Sequence, residues 1–386
     1  MIRPEIAELL IHIIVFYLGA GIGSFLNVVI YRLPLNISVN NPRRSFCFSC
    51  KKQIPWYRNL PLFTWLLQRG KCAECGASIS VRYFFVELLT GLLFYAVFRH
   101  FLGDWGGLAY WGPHVLIFWI FTALLVAGTF IDIDHYLLPH SITIGGLVVR
   151  LVASFAVPGI MDETSHGRGI LISFVSACLG LGILWSIAEL GKLAFGKLKK
   201  KYPDPKPWSI SQPDENEPPV LTADDEVISY GDIFSRPSDR LVISVPSVTV
   251  NDRTFGTGTV EVRFENMTVK PAQGEPVLYA LEDVKKIEGR ATEIVVPREA
   301  MGYGDALLMA MVGSFLGWKA VLFTIVAASV IGSILPIIPR LIGKTAWTAK
   351  IPFGPYLAAG AMIWLFYGPQ FVEWYLVQTG WRKWEY

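Results

Sequence analysis

The chain has 386 residues, is 53% hydrophobic and carries only 17% charged residues, whereas an ordinary soluble domain has about one quarter. An ordinary soluble globular chain is therefore excluded. The net charge of +3 arises from positive residues gathered beside apolar blocks, so it reports membrane topology and not a nucleic-acid partner.

Eight apolar blocks, near 8–31, 84–101, 112–131, 142–158, 169–191, 303–317, 319–339 and 354–376, are each close to the roughly 20 residues needed to span about 30 Å of hydrocarbon. The spacing predicts an all-α polytopic membrane protein of about eight helices lying in a lipid bilayer. Trp105, Tyr110, Trp111, Trp318 and Trp374 sit at block ends, as interfacial aromatic belts require. The first block, in segment 1–33, reads as a retained helix, since its apolar run is longer than a signal peptide's and no small-residue cleavage site follows. Basic residues crowd the loops after the first, fifth and seventh blocks, for example Arg43, Arg44, Lys199, Lys200, Arg340 and Lys344. The positive-inside rule places those loops in the cytoplasm and the N-terminus outside.

Segment 34–83 holds Cys47, Cys50, Cys72 and Cys75, two CxxC pairs separated by twenty-one residues. Each CxxC turn bends two sulfurs toward one ion, and four thiolates close a tetrahedral zinc site with no position left for chemistry. Two disulfides are disfavoured in a reducing cytosol. The ion is expected to be structural, in a small cytoplasmic zinc-binding domain too short to bury its own core. Cys178, alone in an apolar block, reads as a packing residue.

Segment 84–196 carries four predicted spans and the stretch Phe130-Ile131-Asp132-Ile133-Asp134 at the cytoplasmic end of the second of them. Segment 197–300 breaks the membrane pattern. It opens on a Pro-rich, charged run expected to be a linker, followed by alternating β-branched stretches such as LVISVPSVTV and TVEVRFENMTV. These predict a β-rich cytoplasmic insert, and no motif in it names a task. Segment 301–386 carries three spans and begins with Gly302-Tyr303-Gly304-Asp305.

Counting spans puts Asp132 and Asp305 on the same membrane face at similar depth, at helix ends of opposite direction. Carboxylates beside a membrane span are costly and tend to mark function. Two that meet at about 3 Å share one proton, so one can take a proton from water while the other polarises a peptide carbonyl. That is aspartyl protease chemistry. Gly302 and Gly304 relax the helix start and admit a close backbone. The competing readings are a proton relay in a transporter, which would show inverted repeats, and a zinc-organised scaffold with incidental aspartates.

The chain resembles the type IV prepilin peptidases, in GSFLNVVIYRLP at 23–34, PRRSFCFSC at 42–50, NLPLFTWLLQRGKCAECGASISVRYFFVELLTG at 59–91, FIDIDHYLLP at 130–139 and MGYGDALLMAMVGSFLGW at 301–318. The resemblance implies a GxGD intramembrane aspartyl protease of the bacterial inner membrane, with its site on the cytoplasmic side. Asp132, six residues before Leu138-Pro139, and Asp305 would be catalytic, with Asp134 in support. It further implies cleavage of the basic leader of type IV prepilins or type II secretion pseudopilins, and N-methylation of the new N-terminus with S-adenosylmethionine. Partners would be those substrates and the pilus or secretion machinery. Asp134 or Glu87 are the acids expected to meet a basic leader. Two departures stand out: His140 follows Leu-Pro, and the β-rich insert precedes GYGD. No residues for the methyl donor are legible, because Gly19-Ala20-Gly21-Ile22-Gly23 lies inside a span and reads as close helix packing.

Overall fold

The computed structural model describes residues 3–42, 45–103, 108–161, 163–195, 197–211, 219–224, 226–234, 239–284, 286–297, 302–337 and 351–379. The end of the predicted 319–339 span and the basic loop at 340–350 lie outside them. The chain divides into two compact units, Met1–Trp185 with Tyr303–Tyr386, and Ser186–Gly302.

The first unit is helical. Its elements are α1 (Pro4–Arg32), the short α2 (Phe63–Leu67), α3 (Val81–Leu102), α4 (Leu108–His135), α5 (His140–Ala156) and α6 (His166–Phe195), the last of which runs on into the second unit. After the second unit's short α7 (Tyr230–Ile233), it continues with α8 (Tyr303–Leu316), α9 (Trp318–Ile334) and α10 (Gly354–Gln378). Among the described residues, four helices are long and apolar enough to cross a membrane: Glu5–Arg32, Val81–Leu102, Tyr110–His135 and His166–Leu193. The shorter apolar helices α5, α8 and α9 have 17, 14 and 17 residues.

Small residues let these helices approach. A Cβ on Gly19 would lie 2.7 Å from Phe94 Cβ, and one on Gly23 2.8 Å from Glu87 Cα, so the glycine-rich run of α1 is a packing face against α3. The backbones of α6 and α8 meet at Gly180 against Met309 and at Gly313 against Ser176. Polar side chains tie the same region: Ser173 Oγ donates to the Ser314 carbonyl at 3.0 Å, and Arg150 Nε donates to it from α5 at 3.0 Å. Cys178, expected in packing, is instead exposed on α6.

The second unit is an antiparallel sheet in the order β3-β2-β1-β10-β4-β7-β8-β9, with β5 paired to β10 and to β6. The strands are β1 (Lys197–Ser211), β2 (Val220–Ala223), β3 (Glu226–Ser229), β4 (Leu241–Val245), β5 (Ser247–Val250), β6 (Arg253–Phe255), β7 (Gly258–Val262), β8 (Asn266–Pro271), β9 (Val277–Ala280) and β10 (Ile287–Pro297). The alternation read from LVISV buries Leu241, Ile243 and Val245, which join Val260, Val262, Met267 and Val269 in one core. One expectation is corrected here. The run from Lys197 to Ser211 is no linker; it is β1, laddered against β10. Its prolines, which cannot donate to a ladder, fall in part at a register shift between Lys201 and Lys206. Composition alone hid the strand because its partner lies some ninety residues later in the chain.

Candidate active site

Helix α4 ends just past the two aspartates it carries. Tyr136 takes a left-handed φ of 53°, and its N–H donates to the Asp132 carbonyl at 2.9 Å, which closes the last turn. Leu138 follows, and Pro139 caps α5 in an extended conformation, its carbonyl accepting the N–H groups of Ile142 and Thr143 at 3.0 and 3.2 Å. Leu138 is a wedge beneath three helices: a Cβ on Gly128 would lie 3.3 Å from it, one on Gly304 2.9 Å, and one on Gly354 3.3 Å.

Asp132 and Asp305, far apart in sequence, both lie beside this wedge, through Gly354 and Gly304 respectively. Both are buried, with 6% and 8% of their surface exposed, and Asp132 lies close enough to Asp305 to act on it electrostatically. Gly304, in the first turn of α8 next to Asp305, packs against Leu138. Gly302 precedes α8 and is exposed.

A third contributor escaped the sequence reading. The Gly354 N–H, the first amide of α10, donates to Asp132 Oδ2 at 3.0 Å. A helix N-terminus presents unpaired N–H groups and favours negative charge, so α10 completes the carboxylate's surroundings. Gly354 is required by contact, since a Cβ there would sit 2.6 Å from the same oxygen. The available signal was the Gly354-Pro355 pair opening the last apolar block, a helix-start pattern.

Asp134 points elsewhere. It forms an ion pair with Arg82 of α3, with 26% of its side chain exposed. Glu87 is buried on α3, where its Oε2 accepts the Leu62 N–H at 2.7 Å. Leu62 takes the left-handed φ of 64°. Both acids expected to meet a basic leader thus have partners within the chain, and Glu87 anchors the cysteine segment to α3.

The four cysteines converge. Ligand atoms of Cys47, Cys50, Cys72 and Cys75 all lie within 4.8 Å of one another, and Cys47 Sγ is 3.8 Å from Cys75 Sγ. Sulfurs held about 2.3 Å from one tetrahedral ion are separated by nearly that distance, so the cluster could hold a metal ion. The backbone amides of Cys50, then Ser49, lower the Cys47 thiol to about 6, which favours the thiolate that binds metal. Beside the cluster, Glu74 accepts from Lys52 at 3.1 Å and from Arg58 at 2.8 Å, pinning the second CxxC turn to the first half of the loop.

Comparison with known proteins gives consistent matches. Residues 17–101 match the bacterial peptidase A24 N-terminal domain, and residues 119–200 and 277–337 match the type IV leader peptidase family. Residues 201–276, most of the sheet, lie between the matched stretches. The chain is 33% identical to a prepilin leader peptidase/N-methyltransferase of Dichelobacter nodosus over 49% of this chain and 71% of that protein. It is 39% identical to the protein of the same name from Myxococcus xanthus over 48% and 52% of the two chains. With that of Aeromonas hydrophila the identity is 28%, over 94% and 93%. No solved structure matches.

Proposed function

The chain belongs to the type IV leader peptidase family, and from that premise we propose that it cleaves the leader of type IV prepilins or pseudopilins and then N-methylates the new N-terminus. The observation that carries the proteolytic half is the burial of two carboxylates, Asp132 and Asp305, beside one wedge of three helices, within electrostatic reach of each other. Asp132, with the Gly354 N–H on Oδ2, is the ionised member and takes a proton from the attacking water. Asp305 holds the shared proton and gives it to the carbonyl oxygen of the scissile peptide, so that charge never builds on that oxygen. Collapse of the tetrahedral adduct breaks the C–N bond as the amine regains a proton from the pair.

The wider assignment follows the same premise. Eight helices, α1, α3–α6 and α8–α10, span the bacterial inner membrane with the aspartates at the cytoplasmic face. Segments 1–33, 84–196 and 301–386 form the membrane body, 34–83 the metal domain, and 197–300 a cytoplasmic insert. Zinc is the ion that four thiolates favour, and S-adenosylmethionine supplies the methyl group. Incubating the purified chain with a prepilin and S-adenosylmethionine, then weighing the product, tests the proposal. Loss of the leader with gain of one methyl group is expected; an uncut substrate overturns the reading.

Two smaller effects are expected at the periphery. Gly354→Ala pushes a methyl group against Asp132 Oδ2, and misplacement of a reacting group on this scale costs about 10²-fold in rate. Steady-state cleavage measures it, and an unimpaired variant would remove α10 from the site. Asp134→Asn breaks the pair with Arg82, a partly exposed interaction worth about 0.2–1 kcal/mol. Cleavage falls by no more than about fivefold in the same assay.

A further inference from the structure

A polar cluster lies among the helices at the end of α8 opposite Asp305, and the proposed chemistry makes no use of it. Its centre is Arg150 of α5, which is fully buried. Arg150 Nε donates at 3.0 Å to the Ser314 carbonyl in the last turn of α8, about 13 Å along that helix from Asp305. The same carbonyl accepts from Ser173 Oγ of α6 at 3.0 Å. A helix C-terminus carries partial negative charge, so this side of the guanidinium serves as a cap on α8. The other side has no such role. Nη1 and Nη2 are both buried, and neither has a hydrogen-bond partner. Among the described residues no carboxylate faces them, and the Phe315 ring, its centroid 5.7 Å from Cζ, flanks the group. Ser154 Oγ bonds the Arg150 carbonyl at 2.9 Å and Ser173 Oγ at 2.6 Å, and neither hydroxyl accepts from the guanidinium. Arginine keeps its charge in any protein setting, and a buried charge without a partner is strongly destabilising. An ionised side chain inside a membrane helix bundle marks a functional site and calls for a partner.

We propose that the free end of Arg150 binds a small monovalent oxyanion of the carboxylate or bicarbonate class. The planar guanidinium presents Nη1 and Nη2 as a fork, whose two parallel N–H groups match two oxygens on one edge of such an anion. One guanidinium and one monoanion leave the buried site neutral, which a low-dielectric surrounding favours. The complete burial of Arg150 limits the size of the ligand: a phospholipid headgroup, tethered to its acyl chains at the protein surface, does not reach the fork. With the fork filled, a single ion pair joins three helices, through Arg150 of α5, Ser173 of α6 and the Ser314 carbonyl of α8. The inference holds whether or not the chain cleaves a leader, because none of these groups takes part in the aspartate chemistry.

The probe is formate. Equilibrium dialysis of the purified full-length protein against radiolabelled formate, in gluconate buffer at constant ionic strength, is expected to show one saturable site per chain. Thermal unfolding is expected to move to higher temperature as formate replaces gluconate, because a ligand held only by the folded chain stabilises it. Arg150→Gln, which keeps a donor for the Ser314 carbonyl and removes the charge, is expected to abolish both effects. Arg150→Lys keeps the charge without the fork, and is expected to weaken binding about tenfold. Arg150→Leu stands in should the Gln variant fail to fold, since an apolar side chain replaces a buried charge with little loss of stability. A parent chain with no saturable site overturns the proposal. So does formate binding that survives in Arg150→Gln or Arg150→Leu, and a site that takes chloride in preference to formate overturns the oxyanion class.

Discussion

Asp132→Asn and Asp305→Asn each lower leader cleavage by about 10³-fold, the middle of the range for losing a positioned acid or base. The size follows from the division of labour. With an amide in place of the first carboxylate, nothing accepts the proton of water; with an amide in place of the second, nothing donates to the carbonyl oxygen with a carboxylic acid's strength. The change is isosteric, and in Asp132→Asn the side-chain amide oxygen can still accept the Gly354 N–H that Asp132 Oδ2 accepts now. Membrane insertion and thermal unfolding are therefore expected to match the parent chain. Removing both carboxylates costs little more than removing one, because the pair acts as a unit. A scaffold with incidental aspartates would show normal cleavage in every variant, and a single-turnover assay with mass detection separates the cases.

The second large effect concerns the metal. Within 45–80, among the described residues, Leu62 is the only buried large hydrophobic side chain, and burying one such side chain stabilises by about 1.5–3 kcal/mol. A structural zinc ion in small Cys-rich folds contributes about 10–16 kcal/mol, so an ion held by the four cysteines would decide whether this segment is ordered. Cys72→Ser, or treatment with a strong chelator, is expected to reduce bound zinc from one per chain to none. It should also open the segment to trypsin at Lys51, Lys52, Arg69 or Lys71. Elemental analysis and limited proteolysis read the two outcomes. A metal-free segment that resists trypsin would mean that hydrogen bonds such as Leu62 N–H to Glu87 suffice to hold it.

The sheet forms a compact unit of its own. Most of it lies outside the matched family stretches, yet it has its own core of Leu221, Leu241, Ile243, Val260 and Met267, all essentially inaccessible. Its acids are met by bases: Glu261, nearly buried, is bonded to Lys270 and Arg240.

Local pattern carried a large part of this protein. Apolar runs become helices in any context because the chain must satisfy its own backbone polar groups in hydrocarbon. Paired CxxC turns converge on one point because each turn is a rigid local bend. Alternation in the insert announced strands for the same local reason. Asp132 and Asp305 stood out as candidates because a carboxylate at the end of an apolar run is costly. What the chain could not disclose locally was who meets whom. The Gly354 amide on Asp132, the packing of Leu138 under Gly304 and Gly354, and the Arg82–Asp134 pair all join segments far apart in sequence. So does β1 to β10, which turned an expected linker into a strand. Each depends on helix packing or ladder register, and those are settled by the summed contacts of the whole fold and not by any window of residues.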